Sequence, residues 1–330
     1  MKEMTVNYSN KNVKIQMGEN LLSEIKFPSF RKYLIITDEN VGKLYLEQLL
    51  EKLPNALYRI LPAGEESKSL GVVEELLEHL LVSSYTKGDV LIAFGGGVIT
   101  DLVGFVASIY KRGMRFICIP TSLLAQVDSA LGGKTGINFS ANNLTYKNQI
   151  GTIYHPELVL VDPSYLKTLP EAELRSGMGE IIKYGLCFDP ILFNSLFKDF
   201  KLSDLIYRSL EIKAAITARD EFESGERMLL NYGHTVGHAL ESLSGFKLRH
   251  GEAVALGMLL ETEDKLIQER LETLLAKFSF PEFRFSRSDL IAYLKQDKKI
   301  RMGKIKLPVL KAIGKLSLEE IELAEYLGRF

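Results

Sequence analysis

The sequence predicts an α/β fold: an N-terminal parallel-sheet domain of the nucleotide-binding kind over residues 1–165, followed by a mainly α-helical domain over residues 166–330. Three observations predict it. In the first half, short β-branched and apolar runs alternate with helix-period stretches of about a dozen residues, as in a parallel sheet with crossover helices. A triple glycine, Gly95-Gly96-Gly97, stands where one such run gives way to a helix. Beyond Val159-Leu160-Val161-Asp162-Pro163 the apolar residues keep helical spacing almost throughout.

Taken in order, Tyr33 to Thr37 reads Tyr-Leu-Ile-Ile-Thr and ends at Asp38, as a buried strand entering a loop does. A helix pattern follows from Val41 to Leu53, and Leu57 to Leu61 gives a second strand. Pro62-Ala63-Gly64-Glu65-Glu66-Ser67-Lys68 is rich in turn formers and opens onto a helical stretch from Leu70 to Ser83. Asp89 to Phe94 is a third strand, Val98 to Tyr110 its helix, and Arg115 to Ile119 a fourth strand stopped by Pro120. In the second half, helices are expected over Glu171 to Leu186, Leu202 to Glu221, Glu226 to Leu243 and Glu252 to Leu275, with few strand-like runs. There is no internal repeat and no low-complexity tract.

The 330 residues, 46% hydrophobic, suffice for a substantial core. With 41 basic against 42 acidic side chains, the overall charge offers no broad nucleic-acid or anionic-membrane footprint, so anion binding must come from local clusters. Cys118 and Cys187 match neither a disulfide framework nor a zinc spacing and are expected to be reduced and buried. The first residues lack the apolar stretch of a secretory signal, and no run approaches the roughly 18 apolar residues of a membrane span, so a cytoplasmic protein is expected.

Glycines between a buried strand and a helix let backbone N–H groups approach a pyrophosphate at the positive helix end. Gly95, Gly96 and Gly97 suit that role, yet the G-x-G-x-x-G spacing is absent and a merely tight turn fits as well. Asp38-Glu39-Asn40, and Glu65 with Lys68, fall in loops beyond strand ends, where ligands of such sheets gather. Ordinary solvated loop charges would look the same. His234 and His238 lie four residues apart on an expected helix and share a face, with His250 following in Leu-Arg-His-Gly-Glu. Three of five histidines in one stretch make a metal site plausible, although a hydrogen-bonded helix face gives the same spacing. Glu180 in Ser176-Gly177-Met178-Gly179-Glu180-Ile181-Ile182-Lys183 is the best carboxylate for it, because a charge among apolar helix residues is costly unless paired or bound to a metal. Lys134, Lys183, Lys213, Arg227 and Asn231 supply donors suited to a small substrate carrying phosphate and carboxylate. His79 and His155 lack such company and are read as structural.

From about Tyr33 to about Gly314, these segments together resemble the 3-dehydroquinate synthase family. The resemblance is carried by Gly95-Gly96-Gly97-Val98-Ile99-Thr100-Asp101, Pro120-Thr121-Ser122 through Lys134-Thr135, Ser176 to Lys183, Asn231-Tyr232-Gly233-His234 through His238, and His250-Gly251-Glu252. It implies a redox-neutral cycle on 3-deoxy-D-arabino-heptulosonate 7-phosphate. NAD+ oxidises the C5 hydroxyl, phosphate leaves by elimination, hydride returns, and ring opening with aldol closure gives 3-dehydroquinate.

Carried onto this chain, the resemblance implies a helical domain that binds metal and substrate. Glu180, His234 and His250 would hold a divalent cation, zinc with cobalt as the alternative, and His238 would relay protons. Glu180, Lys183, Lys213 and His238 form the expected catalytic group. Substrate contacts are expected from Lys134, Asn148, Lys213, Arg227, Asn231 and one or both of Lys298 and Lys299, and from Arg112 reaching the neighbouring subunit of a homodimer. NAD+ contacts are expected from Asp38, Glu65, Lys68, Gly96, Gly97, Asp101, Thr121, Ser122, Asp128, Lys147 and Thr168. The partner is thus a small sugar phosphate, with neither nucleic acid nor membrane involved.

Departures from the family pattern are local. The stretch between Asn138 and Lys147 is a few residues longer than usual, and Tyr146 stands where glycine commonly precedes the Lys-Asn pair, which bears on the placement of Lys147 and Asn148. Thr100 and Gly179 replace the more usual Gly and Ala, and the turn and helix are expected to survive. Other sugar-phosphate cyclases would act on substrates without the carboxylate, against which Lys213, Arg227 and Asn231 argue. A metal-dependent polyol dehydrogenase would accumulate NADH, and an inactive nucleotide-binding scaffold would hold no divalent metal.

Overall fold

Strand β1 (Lys2–Asn7) folds back on β2 (Asn12–Met17) as an antiparallel hairpin, and β2 then pairs in parallel with the rest of a seven-stranded sheet. The computed structural model describes residues 1–28, 31–141, 144–295 and 300–330, and it divides into two compact units, Met1–Leu169 and Pro170–Phe330. In the first unit, short helix α1 (Leu21–Glu24) precedes β3 (Tyr33–Asp38), α2 (Glu39–Lys52) and β4 (Leu57–Leu61). Then come α3 (Leu70–Val82), β5 (Val90–Gly95), α4 (Gly97–Ile109), β6 (Arg115–Pro120), a separate hairpin of β7 (Lys134–Ala141) and β8 (Leu144–Ile153), and β9 (Leu158–Val161). The sheet order is β1-β2-β9-β6-β5-β3-β4, parallel everywhere except at β1.

Strand β5 is buried along its whole length and β3 along all but Asp38, which is why both read as continuous apolar runs rather than alternating ones. Ile35, Ile92, Phe94 and Ile119 pack with Leu46 and Leu49 of α2, each fully buried aliphatic side chain contributing about 1.5–3 kcal/mol. Local chemistry sets the helix starts. The Asp38 carboxylate accepts from the N–H groups of Asn40 and Val41 to cap α2, and the Ser69 hydroxyl caps α3 at Val72. The hairpins β1/β2 and β7/β8 were not anticipated, because their exposed polar positions break up any apolar run.

The second unit contains α5 (Glu171–Phe188), α6 (Pro190–Ser195), α7 (Leu202–Arg219), α8 (His234–Leu243), α9 (His250–Glu261), α10 (Lys265–Lys277) and α11 (Arg287–Leu294). A three-stranded antiparallel sheet of β10 (Ile300–Arg301), β11 (Lys304–Ala312) and β12 (Lys315–Glu322) follows, then α12 (Leu323–Gly328). The unit is mainly helical, as expected, and this sheet adds three strands that the sequence reading did not single out. Ile305, Leu307 and Ile321 on it share a core with Val236 and Leu240 of α8.

Two expected helices are each broken. The stretch Glu226 to Leu243 is a 3-10 turn, Glu226–Asn231, followed by a fresh start at His234, because Gly233 takes the left-handed conformation at φ +77°. The stretch Glu252 to Leu275 is interrupted at Thr262, which is extended, and restarts where the Asp264 carboxylate caps the N–H groups of Leu266 and Ile267. In both places local turn and capping chemistry overrides an apolar period that runs straight through. Gly179 leaves α5 unbroken, and Thr100 sits within α4 with its hydroxyl donating to the Gly97 carbonyl at 3.1 Å. Among the described residues, no helix is long and apolar enough to cross a membrane.

Candidate functional site

Close helix packing in the second unit creates its site. A Cβ added to Gly251 would stand 1.8 Å from the Ser176 carbonyl oxygen, and one added to Gly257 would stand 2.1 Å from that of Gly233. Only glycine lets α9 approach α5 and the start of α8 so nearly. The consequence is that Glu180 on α5, His234 at the first position of α8 and His250 at the first position of α9 converge. One ligating atom from each lies within 4.8 Å of the others.

The Nε2 atoms of His234 and His250 are each 3.7 Å from Glu180 Oε1. Their Nδ1 atoms point the other way, His234 toward the Tyr232 carbonyl at 3.2 Å and His250 toward Glu241 Oε2 at 3.5 Å. A proton held on Nδ1 by these acceptors leaves the Nε2 lone pairs aimed at Glu180. Burial, helped by the charges of Lys183, His250 and His238, pushes His234 well below the usual histidine range. Burial also opposes charge on His250, but the Glu241 hydrogen bond and the Glu180 charge outweigh it and raise that histidine.

Glu180 is 0% exposed, and neither carboxylate oxygen makes a hydrogen bond among the described residues. Its charge is faced by Lys183, one turn along α5, in an ion pair. A buried carboxylate held by one ion pair at Oε2, with two imidazole lone pairs directed at Oε1, is the donor set of a divalent metal site, and these residues fit one. His238 stands beside this set rather than in it. Its ring lies 5.5 Å from that of His234 and 5.8 Å from that of His250, and the side chain is exposed.

Lys213 on α7 is buried, as is Arg227, whose guanidinium donates to the Glu221 carbonyl at 2.5 Å. Asn231 donates to Glu223 Oε1 at 2.8 Å. Both α7 and the Glu226–Asn231 turn pack against α5, so these groups share the helical cluster that carries Glu180. Asp220 anchors that turn, accepting from the N–H groups of Ser224, Gly225 and Arg227 at 2.8–2.9 Å. Burial works against its charge, but these donors hold its carboxyl down to about 2. Lys298 and Lys299 lie outside the described residues.

In the first unit the expected cofactor residues gather beyond the carboxyl ends of β3 to β6. Gly96 precedes α4 and Gly97 opens it, placing their backbone N–H groups at the positive end of a 13-residue helix. Lys68 Nζ bridges Asp101 Oδ2 and Asn148 Oδ1, each at 2.5 Å. Glu65 accepts from the Asn138 side chain at 2.8 Å, and Asn138 Oδ1 accepts from the N–H of Asn148 at 3.0 Å. On the described parts of the long 138–147 stretch, β7 and β8 pair with Phe139 across from Tyr146, and β8 delivers Asn148 to Lys68. Thr121 donates its N–H to the Gly95 carbonyl at 3.0 Å, and Ser122 Oγ accepts from Ala125 N–H at 3.3 Å. Asp128 lies in the π-helical turn Ala125–Ser129, Thr168 pairs with the Tyr45 hydroxyl at 2.5 Å, Lys147 is half-buried on β8, and Lys134 is exposed at the start of β7.

Arg112 is not brought to this edge. It follows the far end of α4, roughly 20 Å from the glycine turn at 1.5 Å per residue, in an exposed turn where Lys111, Arg112 and Gly113 all have positive φ. His155 is buried and stacked on Tyr8 at 3.6 Å, and His79 pairs with Arg59 at 2.6 Å. Three residues with clear geometry escaped the sequence reading: Asn138, Asp220 and Glu241. Only Glu241 carried a signal, three residues after His238 and on the same helix face.

The family profile described as 3-dehydroquinate synthase N-terminal matches residues 58–176, and its C-terminal counterpart matches residues 177–300. The 3-dehydroquinate synthase of Dictyoglomus thermophilum is 42% identical over 342 residues, covering 97% of this chain and 95% of that one. The chain belongs to the 3-dehydroquinate synthase family. The enzyme of that name from Latilactobacillus sakei is 39% identical over 349 residues, covering 99% of this chain and 97% of that one. Among solved structures, a 2-deoxy-scyllo-inosose synthase complexed with carbaglucose-6-phosphate, NAD+ and Co2+ matches with a TM-score of 0.87 at 23% identity, over 99% of both chains. The 2-epi-5-epi-valiolone synthase of Streptomyces hygroscopicus with NAD+ and Zn2+ matches with a TM-score of 0.83 at 25% identity, over 100% of this chain and 96% of that one. The fold is that of the sugar-phosphate cyclases, and the chain is an enzyme.

Proposed function

We propose that this enzyme converts 3-deoxy-D-arabino-heptulosonate 7-phosphate to 3-dehydroquinate and phosphate. The observation that carries this reading is the buried Glu180 carboxylate with two imidazole Nε2 atoms 3.7 Å away, in a chain so similar over its length to enzymes of that name. The cofactors it implies are NAD+ and one divalent cation, zinc with cobalt as the alternative; the cyclases of like fold bind these. When bound, the cation would supply Lewis-acid stabilisation of negative charge on substrate oxygen, and NAD+ a reversible hydride acceptor.

The chain's own residues have distinct tasks. Glu180, His234 and His250 would hold the cation, with Lys183 balancing the buried carboxylate. His238, exposed beside both ligand rings, is suited to take the C5 hydroxyl proton on a ring nitrogen and return it. Lys213, Arg227 and Asn231 suit the substrate carboxylate and ring hydroxyls, and Lys134 and Asn148 suit its phosphate. Asp38, Glu65, Lys68, Asp101, Thr121, Ser122, Asp128, Lys147 and Thr168, with the N–H groups at Gly96 and Gly97, are the NAD+ set. Arg112, remote from its own glycine turn, is assigned to the neighbouring subunit of a homodimer. The two buried free thiols, Cys118 and Cys187, fit a cytoplasmic enzyme.

The test is incubation with the heptulosonate phosphate, Zn2+ and substoichiometric NAD+. Phosphate and dehydroquinate should form in equal amounts with no net NADH. Preferential turnover of sedoheptulose 7-phosphate or glucose 6-phosphate in parallel assays would assign a different cyclase, and NADH accumulating in step with turnover would overturn the cyclase reading.

A further inference from the structure

His250 begins α9, and its backbone is fixed on both sides. The Gly251 N–H donates to Ser176 Oγ at 3.0 Å, and the Arg249 N–H donates to Glu252 Oε2 at 2.9 Å. These bonds locate the residue but leave the imidazole free to turn and to change tautomer. The remaining constraint comes from α8, where His234, His238 and Glu241 recur at intervals of four and three residues and so share one face. Glu241, its side chain 13% exposed, directs Oε2 to His250 Nδ1 at 3.5 Å, while His250 Nε2 faces Glu180.

We infer that Glu241 is a positioning residue for the metal centre: it holds the His250 proton on Nδ1, fixes the ring, and raises the donor strength of Nε2. Without an acceptor at Nδ1, the tautomer protonated on Nε2 becomes accessible, and that form cannot ligate through the atom that faces Glu180. His234 has a neutral acceptor in the same role, the Tyr232 carbonyl, so the two imidazoles are unequally supported. Glu241 supports the His250 arm. The inference rests on the metal-centre reading given under Proposed function.

The experiment measures Zn2+ and Co2+ affinity by chelator competition for the unmodified enzyme, Glu241→Gln, Glu241→Ala and His250→Ala, with NAD+ affinity and thermal midpoint measured alongside. Glu241→Ala should bind metal roughly 10–100-fold more weakly, the span found for such outer-shell carboxylates. Glu241→Gln, which keeps an acceptor without the charge, should fall between it and the unmodified enzyme. NAD+ affinity should not change, and the Co2+ visible spectrum should keep its coordination number. Metal affinity within twofold of the unmodified enzyme in either soluble variant overturns the inference, and Glu241→Gln decides it alone if Glu241→Ala does not fold. A changed coordination number overturns it as well, by making Glu241 a ligand. Undiminished binding by His250→Ala would instead sink the metal-centre reading itself.

Discussion

The two units build their sites from different materials. At the strand ends of the first unit, the groups that gather are backbone N–H donors at Gly96 and Gly97, exposed side chains such as Glu65 and Asn148, and the buried Lys68. In the second unit they are charges taken out of water: Glu180, Lys183, Lys213 and Arg227 are all buried. Desolvated charge is expensive unless compensated, so the second site is a tightly coupled set in which each loss strands a partner. The first is more distributed: outside the buried Lys68 and its partner Asp101, a single loss weakens binding and leaves the rest in place. Mutations should separate the two.

The largest separation is expected at the histidines. His250→Ala should lose metal and lower turnover by roughly three orders of magnitude or more, the scale of the several kcal/mol that a Lewis acid contributes. NAD+ affinity should stay unchanged, as measured by fluorescence titration. His238→Ala should keep its metal and lose about 100- to 10,000-fold in rate, as for a missing proton relay. Equal metal loss in the two variants, read by elemental analysis, would erase the division of labour between them.

Next comes the packing that makes the second site. Gly251→Ala places a methyl against the Ser176 carbonyl and should destabilise the protein by about 1–3 kcal/mol, with weaker metal binding. Denaturant melts of metal-free and metal-loaded protein would read both effects, and an unaltered melt would show that α5 and α9 have slack. For the first unit, Lys68→Met removes a charged hydrogen bond to Asp101 and should weaken NAD+ by about 10–100-fold. Metal content should stay at the unmodified level, and its loss would break the contrast between the units.

How much of this was legible in the sequence follows the same contrast. Strands β3, β5 and β6 and their helices could be read because burial on both faces writes continuous apolar runs, whereas edge strand β4, exposed from Leu57 to Ile60, could be read because its run stands between turn formers. The convergence of Glu180, His234 and His250 could be anticipated because they sit in short motifs of the family resemblance. The helix breaks at Gly233 and Asp264 could not, since the apolar period continues across them while backbone conformation and capping change underneath. The β10–β12 sheet was missed although Lys304-Ile305-Lys306-Leu307 alternates as a half-buried strand does. Glu241 was passed over because its role depends on α9, which contributes His250 from another helix.

The smallest effect is electrostatic. Asp220, held down to about 2 in the folded protein, stabilises the Arg227 turn fully above the ordinary carboxylate range near 3.8. That contribution is lost as pH falls from there through about 2. Asp220→Asn should therefore narrow the stability gap to the unmodified enzyme progressively below pH 4 in acid melts, with no such convergence above pH 5; a constant gap at all pH values would contradict the assigned cause.

The most direct test of the metal centre is an anomalous difference map at the zinc edge from crystals grown with Zn2+. A single strong peak about 2.0–2.1 Å from the Nε2 atoms of His234 and His250, with a Glu180 oxygen at about 2.0–2.2 Å, is the predicted result. A zinc peak coordinated elsewhere, with Glu180 still paired only to Lys183, would contradict it.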